Sequence, residues 1–295
     1  MTLKKKKFPY GQFFLNLFFI VVCICYIVPL VLLLSISFEG GTNKPFSLIP
    51  YEFSLDAYKM AFRAPEKIID AYGITIFESV VSVSSSLVVM SMFAYALSRP
   101  NFIGRRKVNF LLFFTTLFSG GLVPTYILNS SYLHLNNTIW IYIIPVLMNA
   151  WNTIVIRTYF QSLPQELFES ARIDGASELR ICFQICIPLS TPVLASVGFL
   201  RFIDAWNVWS TTQIYIRKPK LYTLQFLLQQ ILNSAKYVEQ MINEGKISGD
   251  MAESLANLES MRFALAVIAA GPAMVIFPFF QKYFAKGMVV GSVKG

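Results

Sequence analysis

The residues in this chain best equipped for chemistry are ionic and close together. Glu169, Arg172, Asp174, Glu178 and Arg180 place five charges within twelve residues. Acid–base catalysis needs such groups to converge from several elements on one reacting centre. Here they follow one another along a single segment, with Gly175 in their midst and small residues, Ser170, Ala171 and Ala176, beside them. Small side chains let a second surface come close to the backbone. Ile173, between Arg172 and Asp174, gives the segment an apolar centre with a charged rim. That pattern fits docking, in which charge-assisted hydrogen bonds surround an apolar anchor. The competing reading of the same residues is an amphipathic surface helix whose charges only face water.

Other chemistries find little support. The four cysteines, Cys23, Cys25, Cys182 and Cys186, sit in or beside apolar runs and form no CxxC pair. With His134 as the one histidine, a zinc or redox centre is not expected, and the thiols read as small buried apolar groups. Gly245-Lys246 lacks both the leading Gly and the hydroxyl residue of a phosphate-binding loop, so no ATP hydrolysis is expected of this chain. A membrane-bound enzyme needs converging acids, histidines or hydroxyls at one depth, and the apolar runs hold Glu78 as almost their sole acid. Tyr126, Asn149, Trp151, Asn152, Trp206, Asn207 and Trp209 are the aromatic and amide candidates for contact with a solute: rings offer faces for stacking, and each amide both donates and accepts. Membrane interfaces also enrich Trp and Tyr, and Trp140 and Tyr142 are assigned to that role. Arg201 is expected to pair locally with Asp204, three residues on. Glu78 has no role assigned from sequence.

The elements that position these residues follow from composition. Of 295 residues, 55% are hydrophobic and 14% charged, against about a quarter charged in soluble domains. The excess of Lys and Arg flanks apolar runs and forms no basic face with interleaved aromatics, which argues against nucleic acid. Six stretches approach the ~20 apolar residues that a spanning helix needs. They are Phe13–Ser37, Ile74–Leu97, Val108–Leu128, Thr138–Ile156, Ile181–Ile203 and Phe263–Phe284. Pro188 and Pro192 break the start of the fifth. Pro124, Pro145, Pro272 and Pro278 are expected to interrupt their spans. The basic run Lys4–Lys7 ahead of an apolar stretch imitates a signal peptide. The stretch is too long and lacks a small-residue cleavage site, so an uncleaved first span is expected.

Charge orients the spans. Lys4–Lys7, the Arg99–Lys107 turn and Lys282, Lys286 and Lys294 place both termini and the 2–3 turn in the cytoplasm. The predicted organisation is a basic tail at 1–12, a six-helix transmembrane domain at 13–284, a cytoplasmic loop at 164–180, an external loop at 204–262 and a second tail at 285–295. Within the external loop, Lys236–Ile242 and Asp250–Met261 have helical spacing, with Leu255, Leu258 and Met261 on one face. Helices resting on the outer membrane surface are expected there. The cytoplasmic loop is predicted to be helix–turn–helix. Pro164 opens the first helix with Ser162 as cap, Gly175 ends it, and Ser177 caps the second.

This segment closely resembles a known signature. Glu169-Ser170-Ala171, three residues, Gly175, nine residues, Ile185-Cys186-Ile187-Pro188 is similar to the Glu-Ala-Ala-x3-Gly-x9-Ile-x-Leu-Pro pattern of ABC-importer permease subunits. Ser170 replaces the middle Ala and Ile187 the Leu. "LPQELFESARIDGASELRICFQICIPLS", "FSGGLVPTYIL", "DAWNVW" and "PFFQKYFAKGMVVGSVKG" extend the likeness over essentially the whole chain. They resemble the second permease of Gram-positive complex-polysaccharide systems.

The resemblance implies an all-α, six-span type I importer fold in the plasma membrane. It implies a related second permease, an ATPase dimer that holds ATP and Mg, and an external solute-binding lipoprotein. The solute it implies is an oligosaccharide; an amino-acid or phosphonate-like solute is the alternative. The loop would then seat in the ATPase. Glu169 would make a charge-assisted contact there, Ser170, Ala171 and Gly175 would permit close approach, and Ile173 would lie at the tip. Arg172 and Asp174 would order the loop, and Pro188 would fix the angle of re-entry. The C-terminal tail resembles, in position only, tails that reach the ATPase interface.

Overall fold

The computed structural model describes residues 10–39, 47–62, 65–244 and 250–287. Among them helix dominates, and an isolated bridge between Glu39 and Phe53 is the one β feature. Helix pairs most backbone groups within its own segment, which suits a chain of this composition to a bilayer.

The helices run in order: α1 Tyr10–Ser37, α2 Asp56–Ala61, α3 Pro65–Ser98, α4 Arg105–Leu117, α5 Leu122–Ile127, α6 Ala150–Ser162, α7 Gln165–Ile173, α8 Glu178–Ile181, α9 Ile187–Leu189, α10 Thr191–Trp206, α11 Ser210–Tyr215, α12 Leu224–Asn243 and α13 Asp250–Gly287. Gly11–Ser37, Pro65–Ser98 and Met261–Gln281 are each long and apolar enough to cross a membrane. With each of three bent pairs counted as one span the number rises to six, the number expected from sequence.

Each bend has a local cause. Arg105–Leu117 meets Leu122–Tyr132 at 114°. Phe118 is extended there, and Gly121 has φ +85°, a conformation that favours glycine. Ile139–Val146 meets Ala150–Ser162 at 48°; two short 3-10 turns containing Pro145 precede Asn149, which caps α6. Glu178–Leu189 meets Thr191–Trp206 at 82°, the turn falling at Ser190 between Pro188 and Pro192. Pro272 and Pro278 behave otherwise than expected. Both lie inside the continuous α13, as Pro29 does inside α1. Within a bilayer, hydroxyl side chains, neighbouring helices and small local adjustments can re-satisfy the carbonyl that a helix proline frees.

The chain divides into two compact units. One comprises the first 65 residues with 230–269. In it the end of α1 is closed by a small cluster. Phe38 stacks on Phe53 at 5.2 Å and on Tyr58 at 5.1 Å, and the Ser37 and Tyr58 hydroxyls are 2.9 Å apart. The α1 side chains are exposed nearly throughout, Cys23 and Cys25 included. Those two thiols are therefore not the buried groups expected from sequence; Cys182 and Cys186 are.

The other unit, 66–229 with 270–295, holds two apolar clusters. One gathers Met90, Ala94 and Tyr95 of α3, Ile156 and Phe160 of α6, Phe168 of α7, and Ile181, Cys182, Cys186, Val193 and Val197 of the bent fifth span. The second joins Leu135, Ile141, Tyr142, Tyr215 and Ile216. Residues 204–229 thus contribute core side chains. Tyr142, expected at a membrane interface, is buried, and its hydroxyl lies 2.8 Å from Thr212 Oγ1 and donates to the Leu221 carbonyl at 2.9 Å. A tyrosine whose polar tip finds two partners inside no longer needs water there. Trp140 is exposed, in keeping with its assignment. Of the predicted apolar face, Met261 is half-buried, and the side chains of Leu255 and Leu258 lie outside the described residues.

Candidate coupling site and solute pathway

The charged segment folds as two short helices at a tight turn. α7 ends in a Schellman motif: Gly175 N–H donates to the Arg172 carbonyl at 3.0 Å and Ala176 N–H to the Ala171 carbonyl at 2.9 Å. Gly175 has φ +78°, which costs an L side chain about 1–2 kcal/mol. A Cβ there would meet nothing within 4 Å. Within this chain the glycine therefore serves the turn. Ser177 caps α8 as expected, accepting from Arg180 N–H at 3.4 Å. Ser162 does not cap α7. It is the last residue of α6, and its hydroxyl donates to the Tyr159 carbonyl at 2.7 Å.

The segment has an inner and an outer face. Phe168 is fully buried, and Ala171 and Ala176 pack partly against the same cluster. Glu169, Ser170, Arg172, Asp174 and Gly175 are exposed, and Ile173 at the tip is 86% exposed. The ion pair across the turn joins Arg172 Nε to Glu178 Oε1 at 2.7 Å. This bond holds the Arg172 guanidinium above its ordinary pKa. Between exposed side chains it contributes under about 1 kcal/mol, and it links α7 to α8 across the turn. Asp174 ends α7, its N–H donating to the Ser170 carbonyl at 3.0 Å. Pro188 lies in α9, just before the 82° bend, where it can set the re-entry angle.

Sequence reasoning passed over the groups beneath the loop. Arg99, counted above as a topology charge, is buried against Tyr95 and Phe168, with its guanidinium carbon 3.9 Å from the Phe168 ring centre. The signal available was an arginine directly after a long apolar helix and before Pro100. Arg99, Arg172, Tyr95 and Glu178 border a cavity of about 500 Å³.

The pathway candidates fall in three places. Tyr126 is 40% exposed and stacks on Tyr215 at 5.5 Å. Asn149 caps α6, its Oδ1 accepting from Asn152 N–H at 2.9 Å; Asn152 is buried and Trp151 exposed. Trp206 is buried against Phe202, Asn207 bonds the Ile203 carbonyl, and Trp209 is 40% exposed. Tyr126, Trp151 and Trp209 keep surface free for a ligand, whereas Asn149, Asn152 and Trp206 are engaged by the fold, as is the Asn207 amide, whose Oδ1 accepts from Gln225 at 3.3 Å. The expected Arg201–Asp204 pair is present at 3.3 Å. Glu78 is buried, with Oε2 lacking a hydrogen-bond partner among the described residues, and the Arg201 charge acts on it.

Apolar spans and a charged two-helix loop ahead of the fifth are the frame of a membrane protein. The chain belongs to the binding-protein-dependent transport system inner membrane component family, whose model matches residues 5–290. It is an ABC-importer permease with the type I fold. It is 36% identical over 286 residues to the polygalacturonan/rhamnogalacturonan transport system permease protein YtcP of Bacillus subtilis (strain 168), covering 95% of both chains. It is 28% identical over 300 residues to the arabinooligosaccharides transport system permease protein AraQ of Halalkalibacterium halodurans, covering 99% of this chain and 100% of that one. A crystal structure of a bacterial ABC transporter that imports the acidic polysaccharide alginate holds a similar chain. The TM-score is 0.80 at 28% identity, over 95% of this chain and 100% of that one.

Proposed function

We propose that this chain is one of two permease subunits of an ATP-driven oligosaccharide importer, and that its cargo is a uronate-containing fragment. The α7–α8 loop is the contact for the ATPase. Glu169 offers an ionic contact, Ile173 the apolar anchor, and Ser170 and Gly175 a low rim around it, while Arg172, paired with Glu178, and Asp174 order the loop and Ala171 packs beneath it. ATP and Mg belong to the ATPase dimer, and an external lipoprotein delivers the solute. The chain resides in the plasma membrane of a Gram-positive bacterium with both termini in the cytoplasm. ATP-driven closure of the ATPase pushes the loop and shifts the balance between inward- and outward-open states.

The observation that carries this reading is the loop itself. It buries Phe168 beneath and presents an 86% exposed Ile173 above, ringed by the exposed Glu169, Arg172 and Asp174, an apolar centre with a charged rim that supports docking. The cargo reading rests on relatives named for polygalacturonan/rhamnogalacturonan and alginate, both acidic polysaccharides in chemistry. A cysteine at Ile173 in the assembled importer should cross-link to the ATPase, and capture of lipid alone would overturn the docking. Uptake of trigalacturonate should exceed that of a neutral trisaccharide of equal length by about tenfold, the equivalent of 1.4 kcal/mol. Preference for the neutral sugar would overturn the cargo assignment and leave the docking intact.

A further inference from the structure

Resting on the docking reading above, we infer that Arg99, Tyr95, Phe168 and Glu178 form a clasp that ties the coupling loop to α3. Through the clasp, α3 is the rod that carries loop movement across the membrane. These are positioning residues: they act behind the docking face.

The clasp has two strands. In the first, Arg99, one residue past the end of α3, lays its guanidinium over Phe168 of α7 at 3.9 Å and over Tyr95 at 4.7 Å. Arg99 is 6% exposed and Phe168 fully buried. Arg99 Nε donates to Ser98 Oγ at 3.0 Å, while Nη1 and Nη2 lack hydrogen-bond partners among the described residues. The two ring faces attract the buried guanidinium, which offsets part of the cost of leaving Nη1 and Nη2 unpaired. In the second strand, Tyr95 of α3 donates its hydroxyl to Glu178 Oε2 at 2.5 Å, and Glu178 Oε1 accepts from Arg172 at 2.7 Å. Each half of the loop is thus attached separately to the same turn of α3.

α3 is suited to transmit what it receives. It is a single 34-residue helix, whereas the third, fourth and fifth spans bend by 114°, 48° and 82°. Toward its other end Thr75 Oγ1 accepts from Leu224 N–H at 3.0 Å, beside the Thr212, Thr223 and Tyr142 hydroxyls. Thr75 and Ser98 are separated by about 35 Å of helix at 1.5 Å per residue.

The test uses the assembled importer in nanodiscs. Cys23 and Cys25 are replaced by Ser, and a reporter cysteine is placed at the exposed Ile69 near the start of α3. The rate at which a water-soluble maleimide labels it is followed with and without ATP, a readout that needs no knowledge of the cargo. We expect ATP to change the rate about fivefold, and Arg99→Met to reduce that change to under about twofold while the ATPase still co-purifies. Arg99→Lys, which keeps the charge over the rings, restores most of the change. Tyr95→Phe removes only the bond to Glu178, should halve the change, and carries the test if Arg99→Met fails to assemble. The clasp is overturned if ATP leaves the Ile69 site unaltered, if the variants respond as the parent does, or if Tyr95→Phe releases the ATPase. Absence of the Ile173 cross-link in the parent complex sinks the docking reading, and the clasp with it.

Discussion

Gly175 and Phe168 sit seven residues apart and do opposite work. Gly175 lets α7 stop and turn, because its φ of +78° is open to glycine at little cost. Phe168 holds the helix down. Gly175→Ala should lower local stability by about 1 kcal/mol, and Gly175→Asn by less, since Asn tolerates this region. Hydrogen exchange of the Ala176 amide, which closes the Schellman motif, reports the difference. Gly175→Leu adds bulk at the docking rim and should abolish uptake while the complex still inserts; uptake near the parent level would remove the coupling role. Glu169→Ala should weaken ATPase co-purification, and unchanged recovery would count against Glu169 as a contact. Tyr142→Phe leaves Thr212 and the Leu221 carbonyl short of a buried partner. It should cost about 1–3 kcal/mol, seen as a lower midpoint in thermal unfolding.

At the scale of elements, what was legible in the sequence were features with local causes. Apolar runs announced the six spans, Gly175 the end of α7, Ser177 the start of α8, and Pro188 with Pro192 the break in the fifth span. What stayed hidden depends on partners distant in sequence. Tyr142 resembles an interface anchor until Thr212 and Leu221, some seventy and eighty residues on, supply its hydrogen bonds. Arg99 resembles a topology marker until Phe168 covers it. Ser162 looked like a cap because Pro164 follows, but α6 extends far enough to claim it. Pro272 and Pro278 carry a break signal that α13 overrides. One close contact between elements makes a further prediction. A Cβ on Gly198 of α10 would stand 3.0 Å from Leu87 Cδ1 of α3. Gly198→Ala is tolerable if that flexible Leu87 shifts, whereas Gly198→Leu overpacks the α3–α10 seam and should cost about 1–3 kcal/mol. Detergent-resistant yield of the assembled complex would distinguish the two.

For the whole molecule, the two units divide the chain in a way its hydropathy does not show, since each combines segments far apart in sequence. Helical pattern reports on nearest neighbours along the chain, and long-range association leaves no such periodic trace. The proposed orientation makes its own prediction. Ile103, 95% exposed in the 2–3 turn, and Ile49, 76% exposed after α1, should lie on opposite sides of the membrane. A cysteine at 49 should react with an impermeant reagent in intact cells, and one at 103 only in inside-out vesicles. The reverse pattern would invert the topology and place the charged loop outside the cell.

The near right angle at Ser190 has a mechanical consequence. On the proposed docking, a thrust along the limb from Glu178 to Leu189 would meet the 82° corner and emerge as a sideways sweep of α10, as in a bell crank. The sixteen residues of α10 would make an arm of about 24 Å that carries the stroke to Trp206. Straightening that corner would leave the two ends joined but the gearing lost.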